Sequence, residues 1–250
     1  KSKWQTKEIA QTYVEGVRGA IPGANLQLEV ISKIVNAWCP MPSKIIDLGC
    51  GDGILGRLLL DEYPTAHIIF ADFSEPMLEK LRNRIGSDKR VTIINIDFAT
   101  SSWINRMEME KPFDIVVSGF AIHHQSDERK RDLYAEIHGL LSDGGIFLNL
   151  DQVSSATVSI GKLFDSFFLD HMQRFITNNR PNITMHEIEE AYYQDKKENI
   201  PAPVERQCQW LRDIGFEDVD CFFKTFELAL FGGRKASNHC IQTDAAEPRR

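Results

Sequence analysis

Cysteine is scarce and unpatterned in this chain. Cys39, Cys50, Cys208, Cys221 and Cys240 are scattered and form no C-x-x-C pair. That argues against a disulfide framework and against a zinc site. No apolar run approaches the roughly 18 residues that a membrane-spanning helix needs. The opening KSKWQTKEIA lacks the apolar stretch of a secretion signal, and it lacks an initiator methionine, as expected of a trimmed chain. The expectation from these features is a reducing, cytoplasmic compartment, in which the Asn182-Ile183-Thr184 triplet is a chance match to a glycosylation site. Positive charge is also short. The 29 lysines and arginines stand against 36 aspartates and glutamates, a net charge of −7. With no basic stripe, a nucleic-acid backbone is a poor partner. His171, His186 and Glu187 fit no standard ligand spacing, so no metal is expected. Internal repeats and low-complexity tracts are missing too.

What the chain does have is alternation. KIIDLGCG, from Lys44, reads as a short buried strand entering a glycine turn. HIIFADF from His67, VTIINIDF from Val91, FDIVVSGF from Phe113 and IFLNLDQV from Ile146 read as four more strands. Between them lie stretches of helical period. Ser74 can cap one helix, with Pro76 in its first turn. Ser126 opens another, whose stripe is Leu133, Tyr134, Ile137, Leu140 and Leu141, with SDERKRD as its exposed face and SDGG as its stop. Continuous apolar strands separated by helices make a parallel sheet covered on both faces. Right-handed crossovers then gather the loops after the strands along one edge, where ligands bind.

After Ser154 the pattern changes. Ile160, Leu163, Phe164, Phe167, Phe168, Met172, Phe175 and Ile176 form a long apolar stripe, followed by a polar helical stretch. The expectation is a helical insertion lying over the strand edge. A helix ending at Gly215 and two strands, EDVDCFFK and TFELALFGGRK, close the fold as an antiparallel pair. The expected division is an N-terminal helical lid over 1–40, a ligand-binding α/β domain over 41–153 and 204–235, a helical cap over 154–203, and a disordered tail over 236–250.

The strongest local signal is Asp47-Leu48-Gly49-Cys50-Gly51-Asp52-Gly53. Glycines let the backbone turn sharply against a ligand, and the next helix offers its positive end. Gly51, Gly53 and Gly56 also satisfy the dinucleotide fingerprint G-x-G-x-x-G. Two features weigh against a dinucleotide. Asp52 sits where a pyrophosphate would lie and would repel it. A second acid, Asp97, follows the third strand and is itself followed by Phe98. Asp72 lies nineteen residues past Gly53 and can accept hydrogen bonds from both ribose hydroxyls. Asp97 can accept from an adenine amine, and Phe73 and Phe98 can pack on the adenine faces.

In this order, DLGCGDG, the acid of FADFS, the INIDF pair and SGFAIHH resemble the motifs of class I S-adenosylmethionine-dependent methyltransferases, over roughly Ser43 to Leu150. The resemblance implies an α/β, Rossmann-like, seven-stranded and mostly parallel sheet with an antiparallel last strand, plus the insertion after strand five. It implies S-adenosyl-L-methionine as cofactor, S-adenosyl-L-homocysteine as product and a small-molecule acceptor. Asp47 and Gly49 would hold the methionine end, Asp72 the ribose, and Asp97 with Phe98 the adenine, with Cys50, Gly51 and Phe73 also in the cofactor site. Ser118 or Gly119 would lie beneath the sulfonium. The layout outside the core is similar to that of the carboxy-S-adenosylmethionine synthases, through RGAIPG (Arg18 to Gly23), the insertion and QCQWLRDIGF. By that likeness Arg18, with Tyr13, would close over the cofactor. The chain departs from the synthase pattern in three places. Ala24 stands for a tyrosine, Gly119 for an asparagine, and Trp210 for the arginine that would take an extra carboxylate. The architecture therefore carries over, and the carboxymethyl chemistry does not.

His123 and His124 follow strand four at the ligand edge. His123 is the candidate general base, since histidine titrates near neutral pH. The other reading is that this loop only shapes the pocket, because methyl transfer rests on in-line approach and desolvation. The phenylalanine stripe is core or acceptor pocket, and Tyr192, Tyr193 and Trp210 share that ambiguity. The functional expectation is methyl transfer to a small, partly apolar acceptor held between the strand edge and the insertion. Three alternatives stand beside it: a cofactor-modifying relative of the synthases, a non-catalytic S-adenosylmethionine binder that presents its insertion to a partner, and more distantly a nicotinamide-dependent oxidoreductase. No membrane partner is expected. The apolar stripe could equally bury against a second copy in a homodimer.

Overall fold

The computed structural model describes residues 21–179 and 184–237. Tyr13, Arg18 and residues 238–250 lie outside these, so the proposed closure over the cofactor and most of the expected tail do too. The described helices are α1 (Ala24–Trp38), α2 (Ile54–Glu62), α3 (Glu75–Ile85), α4 (Ile104–Met107), α5 (Asp127–Leu140), α6 (Val158–Asn179), α7 (Met185–Lys196) and α8 (Val204–Ile214). The strands are β1 (Lys44–Leu48), β2 (His67–Asp72), β3 (Val91–Asn95), β4 (Phe113–Gly119), β5 (Leu141–Gln152), β6 (Phe216–Thr225) and β7 (Leu228–Lys235). Among the described residues no helix is long and apolar enough to cross a membrane.

The strands form one sheet in the order β3-β2-β1-β4-β5-β7-β6. β1 to β5 pair in parallel, and β7 runs antiparallel between β5 and β6. This is the expected seven-stranded α/β sheet. The chain winds outward from β1 to β3, returns to β4, and then winds the other way. The strand order therefore reverses between β1 and β4, and that is where an α/β sheet opens a crevice at the carboxyl ends of its strands.

Alternation along each strand divides the core. Ile46, Leu48, Ile69, Val116 and Phe147 face one side, packed with Leu133, Tyr134 and Ile137 of α5 and Cys208 and Leu211 of α8. Ile45, Ile68, Phe70, Ile115 and Leu148 face the other, with Leu55 and Leu59 of α2 and Leu78 and Leu81 of α3. α1 belongs to this second layer, since Ile31 and Val35 are fully buried in it. The lid expected over 1–40 is thus corrected for residues 24–38. The apolar spacing of that segment serves the sheet, and of the described residues before β1 only Ile21 lines the cleft.

Three further local expectations change. Ser74 stands at the start of α3, but its side chain does not cap the helix, whereas the Ser126 hydroxyl does accept from the Arg129 amide at 3.2 Å. α5 does end just before SDGG, at Leu140, but SDGG is not a loop. It lies inside β5, beside a register shift against β4, with Gly144 at φ 75. Lys130, read as part of a solvated charge run, is 1% exposed. Its ammonium donates to the Ile200 carbonyl and, at 3.2 Å, to Asp127.

α6 and α7 form the insertion. Thr184 and Glu187 close a reciprocal capping box at the start of α7, which gives Glu187 a structural use. Phe164, Phe168 and Leu169 pack with Ile188, Tyr192, Leu228 and Ile21. This side of the stripe is core. Below it, Lys196 bridges the Asp165 carboxylate and, at 3.2 Å, Glu227, which also accepts from Ser155 at 2.8 Å. The tie fastens both insertion helices to the turn between β6 and β7.

Candidate cofactor and acceptor site

At the end of β1 the chain turns through Gly49 at φ 68, Gly51 at φ 53 and Gly53 at φ 81. Gly49 is closely packed, as is Gly53, where a Cβ would lie 2.4 Å from Leu81 Cδ1. A Cβ at Gly49 would lie 2.4 Å from the Ala121 Cβ and 3.2 Å from the Phe98 ring, so both the dihedral and the space require glycine. The amides of Gly49 and Cys50 donate to the Ala71 carbonyl at 2.8 and 3.1 Å, which pins the turn to β2. Asp47, 1% exposed, accepts from the Gly56 amide at 2.8 Å and so fixes the first turn of α2.

Asp72 holds the turn from its other side. One oxygen accepts from the Gly51 amide at 2.8 Å and the other from the Ser74 amide at 2.7 Å. Burial raises its pKa above the usual carboxylate range, against the pull of these amides. Asp97 is exposed and accepts from the Ala99 amide at 2.8 Å, with Phe98 buried beside it. These residues, with Gly119, Phe73 and Cys50, line a cleft of about 480 Å³. Burial pushes the Cys50 thiol far up, and the neighbouring Asp72, Asp47 and Asp52 add to this. It is a packing group in the wall and no nucleophile.

Several site expectations are corrected. Ser118 is fully buried and donates to the Leu48 carbonyl at 2.8 Å, so it ties β4 to β1 and leaves the cleft wall to Gly119. His123, expected as the exposed candidate base, is 4% exposed and paired through Nδ1 with Asp151. The histidine in the cleft wall is His124. Both stand on a 3₁₀ turn, Ile122–His124, where neighbouring side chains diverge by about a third of a turn. Only one of the pair can face the ligand. His124 packs on His123 with ring centroids 4.0 Å apart, and burial, then the neighbouring His123, lower its pKa to about 4. Its imidazole is therefore neutral at physiological pH.

Trp210 does not line the cleft either. It is buried beside Leu211 in the α5–α8 core, with the Arg206 guanidinium 5.2 Å from its ring centre. Its standing in for an arginine therefore says nothing about the cleft. Tyr192 is buried and donates to Asp165 at 2.6 Å, and Tyr193 is exposed. Asp52 is not the bare carboxylate expected. Arg84 pairs with it, and Arg57 lies 4.0 Å away. Ile21, Leu55, Arg57, Phe120 and Glu198 also line the cleft and were not legible. Phe120 is placed by a positive φ of 52, and Glu198 comes from the far end of the insertion.

The fit to S-adenosylmethionine rests on three observations. A cradle at Gly49 would be filled by any Cβ, buried Asp72 stands beside the turn, and Asp97 with Phe98 lines the same cleft. The comparisons agree. Residues 45–145 match the family described as a methyltransferase domain. A carboxy-S-adenosyl-L-methionine synthase from Shewanella amazonensis is 26% identical over 88% of this chain and 88% of its own length. Malonyl-[acyl-carrier protein] O-methyltransferase 2 from Ilyobacter polytropus is 28% identical over 42% of this chain. Human N-acetylserotonin methyltransferase, solved with S-adenosylmethionine, superposes with a TM-score of 0.60 at 13% identity over 94% of this chain. The chain spans only 37% of the length of the second protein and 58% of the third. From the ordered motifs, the sheet and the matched region together, residues 45–145 carry a methyltransferase domain whose motifs are similar to those of class I S-adenosylmethionine-dependent enzymes, with S-adenosylmethionine as the cofactor.

Proposed function

We propose that the chain transfers a methyl group from S-adenosylmethionine to a small, partly apolar acceptor seated in the same cleft. The observation that carries this is the cleft's mixed lining. Asp72, Asp97, Phe73 and Phe98 are the acids and aromatics suited to a nucleoside. Ile21, Leu55, Phe120 and Ala121 add apolar walls, with His124, Gln125 and Glu198 as polar groups. The bound cofactor supplies an electrophilic methyl on a sulfonium. The protein's contribution is to hold the acceptor in line and keep water out. His124, neutral in this setting, can accept a hydrogen bond or a proton from an acceptor's N–H or O–H. Asp47 and Gly49 hold the amino-acid end, Asp72 the ribose, and Asp97 and Phe98 the adenine.

The full-length match to a carboxy-S-adenosylmethionine synthase supports a second reading, in which the cofactor itself is modified. We propose the cytoplasm as the compartment, a reading supported by the four described cysteines, all of them free. Native mass spectrometry of protein purified from its own host separates the two activities. S-adenosylmethionine or S-adenosylhomocysteine carried in the cleft supports methyl transfer, and a carboxylated cofactor overturns it.

A further inference from the structure

Arg57 lines the cleft, and neither the nucleoside contacts nor the acceptor walls use its charge. It sits in the first turn of α2, directly after Gly56, whose amide Asp47 holds. Helical side chains lean toward the helix N-terminus, which here is the glycine turn. Its Nε is buried and has no hydrogen-bond partner among the described residues. Its nearest acid, Asp52, is 4.0 Å from Nη2, beyond hydrogen-bond reach, and is engaged instead by Arg84. A guanidinium with an orphaned buried N–H in a ligand cleft is an incomplete site. The group that completes it is a planar anion that can take two parallel N–H bonds.

The cleft's remaining charge narrows the choice. Asp47, Asp52, Asp72, Asp97 and Glu198 line it against Arg57 and Arg84. An excess of carboxylates disfavours a multiply charged phosphate and favours a ligand whose single carboxylate comes with positive charge. An amino-acid zwitterion meets that description. Its carboxylate would face Arg57 and its ammonium the acids beside the turn.

We propose that Arg57 receives the α-carboxylate of the cofactor's amino-acid end and makes the cleft select for S-adenosyl ligands that carry it. This rests on the assignment of S-adenosylmethionine as cofactor. Arg57 is then a specificity residue, distinct from the acids that read the ribose and adenine.

The test is calorimetric titration of the full chain with S-adenosylhomocysteine and with 5′-methylthioadenosine, which lacks the amino-acid end. Arg57→Met should weaken S-adenosylhomocysteine roughly 10- to 100-fold, the range for hydrogen bonds to charged groups. It should leave 5′-methylthioadenosine within about two-fold, which also serves as the control for folding. Arg57→Lys, which keeps the charge but loses the fork, should fall between wild type and Met. An equal loss for both ligands, or for neither, overturns the proposal, as does a selective loss in Arg18→Met with Arg57→Met unaffected. If wild-type protein binds neither nucleoside, the cofactor assignment itself has failed, an outcome distinct from a failure of Arg57 alone.

Discussion

At the residue scale, one carboxylate has one observed role and one proposed. Asp72 closes the glycine turn through the Gly51 amide and keeps acceptor capacity for two ribose hydroxyls. Asp72→Asn should therefore lower S-adenosylhomocysteine affinity at least about tenfold, measured by titration, and a melting curve will separate this from unfolding. Unchanged affinity would remove Asp72 from the site. The same carboxylate sets a pH dependence. Only its ionised form accepts from both hydroxyls, and burial has raised its pKa. Affinity should be full above that pKa and fall as pH drops through it, starting at a higher pH than for an ordinary aspartate near ~4. A flat affinity down to that range would contradict the assignment. The two histidines divide in the opposite way. His123→Ala leaves buried Asp151 short of a partner and should cost about 1–3 kcal/mol of stability, with cofactor affinity retained. His124→Asn should leave the melting temperature in place and lower turnover once an acceptor is known. A reversed pattern would return His123 to the cleft.

At the scale of elements, the strand-turn-helix at Asp47 to Gly53 was legible because backbone and ligand demands coincide there. A buried strand, three glycines and two acids permit few alternatives. The pair of final strands was legible from their short connection. What escaped depended on rotation and distance. Sequence cannot say which of two adjacent histidines on a 3₁₀ turn faces inward. Nor can it say that Trp210 turns into the α5–α8 core, or that Lys130 within a charge run finds the Ile200 carbonyl. α1 was misread because an apolar stripe fits a lid and a core layer equally well. One ionic tie adds to the apolar packing that holds the insertion. Burial works against the Lys196 charge, but Asp165 and Glu227 outweigh it and raise its pKa. Lys196→Met should speed hydrogen exchange across residues 158–196 and leave β1 to β5 unchanged. Uniform protection in both regions would show that apolar packing alone holds the insertion.

At the scale of the whole molecule, the reversal of strand order between β1 and β4 gathers on one edge what the chain spreads out. Asp47, Asp72, Asp97, Gly119 and His124 come from the carboxyl ends of four strands, β1 to β4, and the loops after them, and Glu198 joins them from the insertion. The sheet alone would serve a nicotinamide dinucleotide as well, and the glycine pattern permits either ligand. Arg84 on Asp52 softens the repulsion of a pyrophosphate that the bare sequence implied. The choice of cofactor therefore rests on Asp97 with Phe98, on the tight cradle at Gly49, and on the matched methyltransferase domain. The most direct measurement is calorimetric titration of the purified chain with S-adenosylmethionine, S-adenosylhomocysteine and NAD in turn. The account predicts saturable one-to-one binding of the first two and none of NAD. Binding of NAD without either S-adenosyl ligand would contradict it, and the roles given to Asp97 and Arg57 would fall with it.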